Sequence, residues 1–491
     1  MRADVCLVLE GSYPYVTGGV SSWVHQLITG LPEVRFALLT LVPGGDGPLV
    51  DRYPVPPNVV ARQDVALFEE APVAGREPSR ALMRAVETLH EAPMPARCPI
   101  MKTVTGLLAG PRQAASGLLE ARASWALLKA LYARRDRRVS FIDYFWTWRA
   151  THGPVLRLLD APLPDAPVYH ALSTGYAGFV ASVAKTRLGV GLALTEHGLY
   201  THERAIDIFQ SSGLFKPTEP GAAPQERFFK TWWRDMFAFL GRLTYDSCDV
   251  IVTLHEPNRR MQVAAGAPDD RLVVVPNGID PARYVPQRTP RDWSARPFRV
   301  GLIGRVVPIK DIKTFIRSVQ IAAAEVPLEA YVLGPTDEDP AYHAECLALT
   351  RALGLEETVR FLGKVDVLAW LPTLDLNVLT SVSESQPLVI LEAAAAGVPS
   401  VATDVGACRE LLGGRTGEDA ALGPSGLVTP VVSPEATARA IVDLARDPLR
   451  HRAMADAGIR RVERFYRQSA VLDYYRGLYA RLAEPAAAGV R

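Results

Sequence analysis

Leu374-Asp375-Leu376-Asn377-Val378-Leu379-Thr380 leads, three residues on, into Ser383-Glu384-Ser385-Gln386-Pro387-Leu388-Val389-Ile390-Leu391-Glu392. The first run is apolar and strand-like. The second opens a helical pattern over 388–397, which Gly397-Val398-Pro399 closes. Strand, loop and helix in that order put Glu384 at the carboxyl end of a strand and Glu392 about two turns along the helix behind it. In open parallel sheets ligands bind at that end. A carboxylate beside a helix amino terminus suits a ligand that carries both hydroxyls and phosphate. Taken alone, the two glutamates fit a solvated helix start equally well, because acids are common there.

The same grammar extends outward through the second half. Phe298-Arg299-Val300-Gly301-Leu302-Ile303-Gly304 reads as a strand, followed by Arg305-Val306-Val307-Pro308-Ile309-Lys310 and a helix from about Asp311. A guanidinium that can clamp two phosphate oxygens and an ammonium point charge, together at a strand end, make an anion site. Further strands are expected at 330–334, 359–363 and 400–403, with Lys364-Val365-Asp366 after the second of them. Helices are expected at 434–446, 448–463 and 468–482, and the last residues, 485–491, should fray. Asp337-Glu338-Asp339 has the spacing of a D-x-D metal motif, but it sits in a proline-bounded loop before a helix and reads as a solvated acidic helix start.

The first half begins alike. Val5-Cys6-Leu7-Val8-Leu9 is a buried-strand pattern, and a glycine loop through Tyr13 to Gly18-Gly19 follows. Then comes a helix with Val20, Trp23, Val24, Leu27, Ile28 and Leu31 on one face. Such a loop lets backbone N–H groups approach an anion, and it also fits a plain turn. Residues 36–42 give the next strand. Residues 43 to about 80 are rich in Pro and Gly without a period, and 80–138 read as a helical insertion. Within it Leu118, Ala121, Trp125, Leu128 and Tyr132 share a face, ahead of Arg134-Arg135-Asp136-Arg137-Arg138; packing on its own core is favoured over a membrane or partner role. Alternation resumes with strands at 167–171 and 192–195, the latter running into Glu196-His197-Gly198-Leu199-Tyr200 and Glu203-Arg204. A histidine there suits a cap as well as a donor to a sugar hydroxyl. Strands at 249–254 and 271–275 precede Pro276-Asn277-Gly278-Ile279-Asp280, and the proline-rich 281–297 makes the clearest boundary.

Bulk properties narrow the classes. With 491 residues the chain should hold at least two domains. Net charge +1 offers no reason to expect nucleic acid. Five scattered cysteines without a C-x-x-C pair fit a reducing compartment. No signal peptide is read after Met1 and no apolar run reaches bilayer length, so a cytoplasmic protein is expected.

With these residues together, the chain resembles the GT-B glycosyltransferases, in particular the retaining family-4 group. The resemblance rests on G-R-x-x-P-x-K at 304–310, P-N-G-I-D at 276–280, E-x7-E at 384–392 and the Gly18-Gly19 loop. The stretches 9–26 and 195–200 are similar to the glycosyltransferases of Pel exopolysaccharide synthesis. The resemblance implies an α/β chain of the GT-B fold, with two Rossmann-like, doubly wound parallel sheets facing a cleft. The domains would be 1–285 for the acceptor, carrying the 80–138 insertion, 286–465 for the nucleotide sugar, and a helix in 466–491 returning to the first. His197, Arg305, Lys310 and Glu384 would be catalytic. Gly304, Arg305, Lys310, Lys364, Val365, Pro387, Leu388 and Glu392 would hold the UDP moiety. Gly18, Gly19, Tyr13 and Arg204 would serve the acceptor or phosphates. The implied reaction moves a hexose or N-acetylhexosamine from a UDP-sugar to a growing polysaccharide, with no cofactor and no essential metal. Membrane-bound Pel synthase subunits would be its partners, holding it at the inner membrane. UDP-sugar epimerisation, or a non-catalytic subunit that binds UDP-sugar, are the alternatives. Gln386-Pro387 replaces the Phe-Gly common in the wider family, and proline has no N–H to offer a phosphate.

Overall fold

A computed structural model describes residues 2–45, 47–68, 78–91, 104, 106–108, 118–119, 121–134, 139–210 and 223–484. The expected fraying at 485–491, the basic residues Arg135, Arg137 and Arg138, and the middle of the helical insertion lie outside them. The chain divides into two compact units. The first takes the chain up to Thr253, Arg259–Val273 and the residues from Tyr474 on; the second takes Leu254–Asn258 and Val274–Asp473. The proline-rich stretch 281–297 therefore lies inside the second unit, and the division falls at Val273/Val274, not at 285/286.

The first unit is built on seven strands: β1 (Val5–Glu10), β2 (Phe36–Val42), β3 (Val59–Ala66), β4 (Val168–Ala171), β5 (Gly191–Glu196), β6 (Val250–Thr253) and β7 (Leu272–Val274). Their order is β3-β2-β1-β4-β5-β6-β7. The pairs from β3 through β6 are parallel. Val5 to Leu9 are buried on both sides of β1, as a sheet covered by helices on both faces requires. The chain winds outward from β1 through β2 to β3, then returns to the other side of β1 with β4. That reversal opens a crevice at the carboxyl ends of β1 and β4.

Two local readings need correction here. Residues 59–66 form an edge strand where the sequence showed no period. Its outer positions are half-exposed, so its pattern is too polar to stand out. Trp125 does not share the buried face of Leu118 and Leu128: it is 47% exposed, its ring edge-on to Phe141 and Phe145. The helix Arg122–Ala133 packs Leu128 and Leu131 inward instead.

The second unit carries β8 (Phe298–Ile303), β9 (Leu328–Leu333), β10 (Val359–Gly363), β11 (Leu376–Leu379), β12 (Ser400–Thr403) and β13 (Gly426–Thr429), in the order β10-β9-β8-β11-β12-β13. All five pairings are parallel. Here the winding reverses between β8 and β11. The strand β13 was not read from sequence; its four residues carry two half-buried positions and start at a glycine.

Candidate functional site

Nearly every donor residue inferred from the sequence falls at the β8/β11 reversal or on the strand ends beside it. Gly304 follows β8 directly, its N–H donating to the Leu333 carbonyl at 2.9 Å. Arg305 comes next with its side chain 53% exposed, paired with Glu338. Lys310 ends a 3-10 turn, Pro308–Lys310, and turns back over the loop after β11. There Glu384 Oε1 accepts from Lys310 Nζ and, at 2.7 Å, from Ser381 Oγ. Asp311 then caps the helix Ile312–Ala323, accepting from Thr314 N.

The loop that carries Glu384 is held from both flanks. Thr403 Oγ1 donates to the Ser381 carbonyl at 2.6 Å, and Ala407 N to the Ser385 carbonyl at 2.8 Å. Gly406 (φ 50°) backs onto it so closely that a Cβ would lie 2.2 Å from the carbonyls of Glu384 and Ser385. On the remaining side, Gln386 grips the main chain of Asn277: its Oε1 accepts from Asn277 N at 2.7 Å and its Nε2 donates to Asn277 O at 3.0 Å.

Pro387 precedes the helix Leu388–Ala395 at its N-cap, and Glu392 lies one helical stretch further along. Burial pushes the Glu392 carboxyl up, while the Tyr284 hydroxyl and the Arg283 charge pull it down. Lys364 and Val365 follow β10, two strands away from β8; Lys364 is exposed and Val365 packs on the core beside them. Arg305, Lys310, Glu384 and Glu392 thus gather cations and acceptors at one reversal, whereas Lys364 sits toward the sheet edge. Asp339 caps its helix, accepting from Tyr342 N at 3.0 Å, and Glu338 meets Arg305. Among the described residues no group of three metal-ligating side chains occurs.

The first unit has its own crevice at the β1/β4 reversal, a cavity of about 150 Å³ lined by Glu10, Ser12, Ser173, Glu196, His197 and Tyr200 among others. Glu10, the last residue of β1, was missed in the sequence; its position directly after the apolar run was the available signal. It accepts from Tyr200 OH and from Ala177 N at 3.1 Å. Glu196 is fully buried and accepts from Tyr245 OH (2.7 Å), Gln262 Nε2 (2.7 Å), Tyr200 N (3.0 Å) and Thr174 Oγ1 (3.1 Å). Burial raises its pKa despite those donors. His197 meets the Trp23 ring at 4.7 Å, and burial lowers its pKa to about 4, so its imidazole is neutral at pH 7. Beneath it His170 bridges Tyr479 OH (2.7 Å) and Thr195 Oγ1 (2.8 Å), which in turn meets Tyr475 OH (2.8 Å).

Arg204 lies over the Tyr200 ring and donates to its hydroxyl at 3.2 Å. Tyr13 is fully buried between His25 and Tyr53, so it supports the glycine loop from beneath. The Gly18 N–H points to Tyr53 OH at 3.5 Å, and Gly19 starts the helix Gly19–Gly30.

Comparison with known proteins places the two halves. Residues 3–270 match the model of a domain of unknown function, DUF3492. The chain belongs to the DUF3492 family. Residues 297–447 match the model described as glycosyl transferases group 1. Among curated relatives, a D-inositol 3-phosphate glycosyltransferase of Kineococcus radiotolerans is 30% identical over 258 residues, covering 47% of this chain and 58% of that protein. A lipopolysaccharide core biosynthesis mannosyltransferase, LpcC, of Rhizobium leguminosarum bv. viciae is 32% identical over 197 residues, covering 38% and 54%. The chain thus spans about half the length of the curated relatives it matches. Among solved structures, Anabaena HepE in complex with UDP aligns over 98% of this chain and 100% of its own, with TM-score 0.59 and 14% identity. Sucrose-phosphate synthase of Thermosynechococcus elongatus aligns over 98% and 99%, with TM-score 0.57 and 16% identity. At those identities the likeness shows the fold: two Rossmann-like parallel-sheet domains of the GT-B kind. Residues 297–447 are thus similar to glycosyl transferases group 1, and the two curated relatives are named as glycosyltransferases.

Proposed function

We propose that the chain is a retaining glycosyltransferase that moves a hexose or N-acetylhexosamine from a UDP-sugar to a growing exopolysaccharide, in the manner of PelF, the cytoplasmic glycosyltransferase of Pel synthesis. One observation carries the donor half of this reading: Arg305 and Lys310 follow β8 while Glu384 and Glu392 follow β11, so opposite charges meet where the winding reverses. HepE, which shares the fold, holds UDP and UDP-glucose.

In this reading Arg305 and Lys310 take the diphosphate, Glu392 the ribose hydroxyls and Glu384 the donor sugar. Lys364 and Val365 run along the base, and Pro387 and Leu388 border the nucleotide. The bond from the anomeric carbon to the diphosphate oxygen breaks as the acceptor oxygen bonds on the same face, and the departing phosphate takes the acceptor proton. Charge grows on the diphosphate in the transition state, and fixed cations act most strongly there. Arg305 would exchange Glu338 for phosphate, a small cost for an exposed pair. His197, neutral, donates to a sugar hydroxyl, and Gly18, Gly19 and Arg204 serve the acceptor side. No metal is essential, and membrane-bound synthase subunits are the partners.

The test is a panel of UDP-glucose, UDP-GlcNAc and UDP-GalNAc with oligosaccharide acceptors, scored for UDP release with and without EDTA. Release with at least one donor, unchanged by EDTA, is expected. Intact donor throughout, or an epimerised nucleotide sugar without transfer, would overturn the assignment.

A further inference from the structure

We propose that Gln386 is a positioning residue for the reaction, setting Glu384 through the main chain of Asn277. This rests on the donor-site reading above. Gln386 is only 8% exposed, and its primary amide presents the same acceptor and donor pair as a peptide group. It uses both on one residue: 2.7 Å from Asn277 N to Oε1, and 3.0 Å from Nε2 to Asn277 O. That is how two strands pair across a sheet, made here by a side chain.

Other side chains at 386 fail for stated reasons. Leucine makes neither bond. Asparagine is one methylene short. An ionised glutamate accepts from Asn277 N but sets an oxygen against Asn277 O. The loop from Ser383 to Pro387 lies beyond β11. Thr403, Gly406 and Ala407 hold it on the β12 side, Lys310 reaches Glu384 from the loop after β8, and the amide ties it to the main chain of Asn277. Glu384 stands two residues away, its Oε1 shared by Lys310 and Ser381.

The segment that Gln386 grips leads into the turn Pro281–Gln287, which brings buried Tyr284 beside Glu392. One stretch of chain thereby backs both glutamates of the E-x7-E pattern. Gln386 itself touches no substrate in this account; it sets where Glu384 stands.

The experiment compares the full-length wild type with Gln386→Leu and Gln386→Glu. UDP affinity is measured by calorimetry, and UDP release with the donor the panel identifies is followed from pH 8 to 5.5. UDP affinity should stay within about threefold in both variants, because Arg305, Lys310 and Glu392 are untouched. Turnover should fall on the order of 100-fold in Gln386→Leu, the scale of a 1 Å misplacement at a reacting centre. In Gln386→Glu, turnover relative to wild type should recover as the pH falls, because a protonated carboxyl restores both bonds. That recovery keeps the test open should the leucine variant fail to fold. Turnover of Gln386→Glu within twofold of wild type at every pH overturns the inference, as does a loss of UDP affinity equal to the loss of turnover. A wild type that neither binds UDP nor releases it overturns the donor-site reading itself.

Discussion

The two sheets share one winding scheme, and each reverses beside its first strand, yet the two reversals hold opposite chemistry. At β1/β4 the carboxylates Glu10 and Glu196 are fixed by hydroxyl, amide and backbone donors, above a buried histidine–tyrosine chain. At β8/β11 the charges are side-chain ion pairs, Lys310 with Glu384 and Arg305 with Glu338. A carboxylate saturated by neutral donors has few lone pairs left for a ligand, so much of the first crevice is committed to its own architecture. The exposed Arg305–Glu338 pair can exchange partners when phosphate arrives, because such a pair contributes little in water. Topology decides where a ligand can sit; the partners of each charge decide how readily it can respond.

The sharpest way to break this contrast is at Arg305. Arg305→Ala and Glu384→Ala should each lower UDP release by about 100- to 1,000-fold, the cost of removing one fixed charge from a transition state. Glu338→Ala should leave turnover close to wild type. If it falls as far as Arg305→Ala, the exchangeable partner belongs to the chemistry.

In the first unit the large effect should be on stability. Glu196→Leu strands four donors in the interior and should cost about 3 kcal/mol, read by denaturant unfolding. UDP affinity of the folded variant should be unchanged.

Acid should act on the same unit. Burial lowers His152 to about 4 from an ordinary 6.5, so the unfolded chain takes its proton first as pH falls. The stability it contributes is complete above 6.5 and is lost progressively toward 4. At pH 5 the loss is on the order of 2 kcal/mol. Denaturation midpoints compared at pH 7 and 5 should show a smaller drop in His152→Phe than in wild type.

The smallest effect is expected at His197. Its alanine variant should lose about tenfold in turnover, the worth of one hydrogen bond. Its pKa of about 4 means that this contribution should not titrate between pH 5.5 and 8.

Much of this architecture was open to reading because it is written locally. An apolar run of five or six residues, a polar turn and a helical period identify a β-α unit without reference to the rest of the chain. The end of each such run marks where a functional side chain will stand. So Arg305, Lys310, Glu384 and His197 could be placed just past strand ends from their neighbours alone. The strands β3 and β13 escaped because sheet edges and short strands relax the apolar pattern that reveals central ones. Glu10 escaped because nothing nearby distinguishes it from a strand's last polar residue.

What the sequence determined by itself was the alternation, the position of the strand ends and the charge types carried there. What only the tertiary structure decided was which partner each charged or polar group takes. Gln386 meets Asn277 across 109 residues of chain, and His170 meets Tyr479 across 309. Arg305 meets Glu338 across 33, and Tyr13, expected to serve the acceptor or phosphates, is buried against His25 and Tyr53. Periodicity reports the environment of a residue along its own element. Contacts between distant elements depend on how the sheet is wound, and that follows from burying all the elements together.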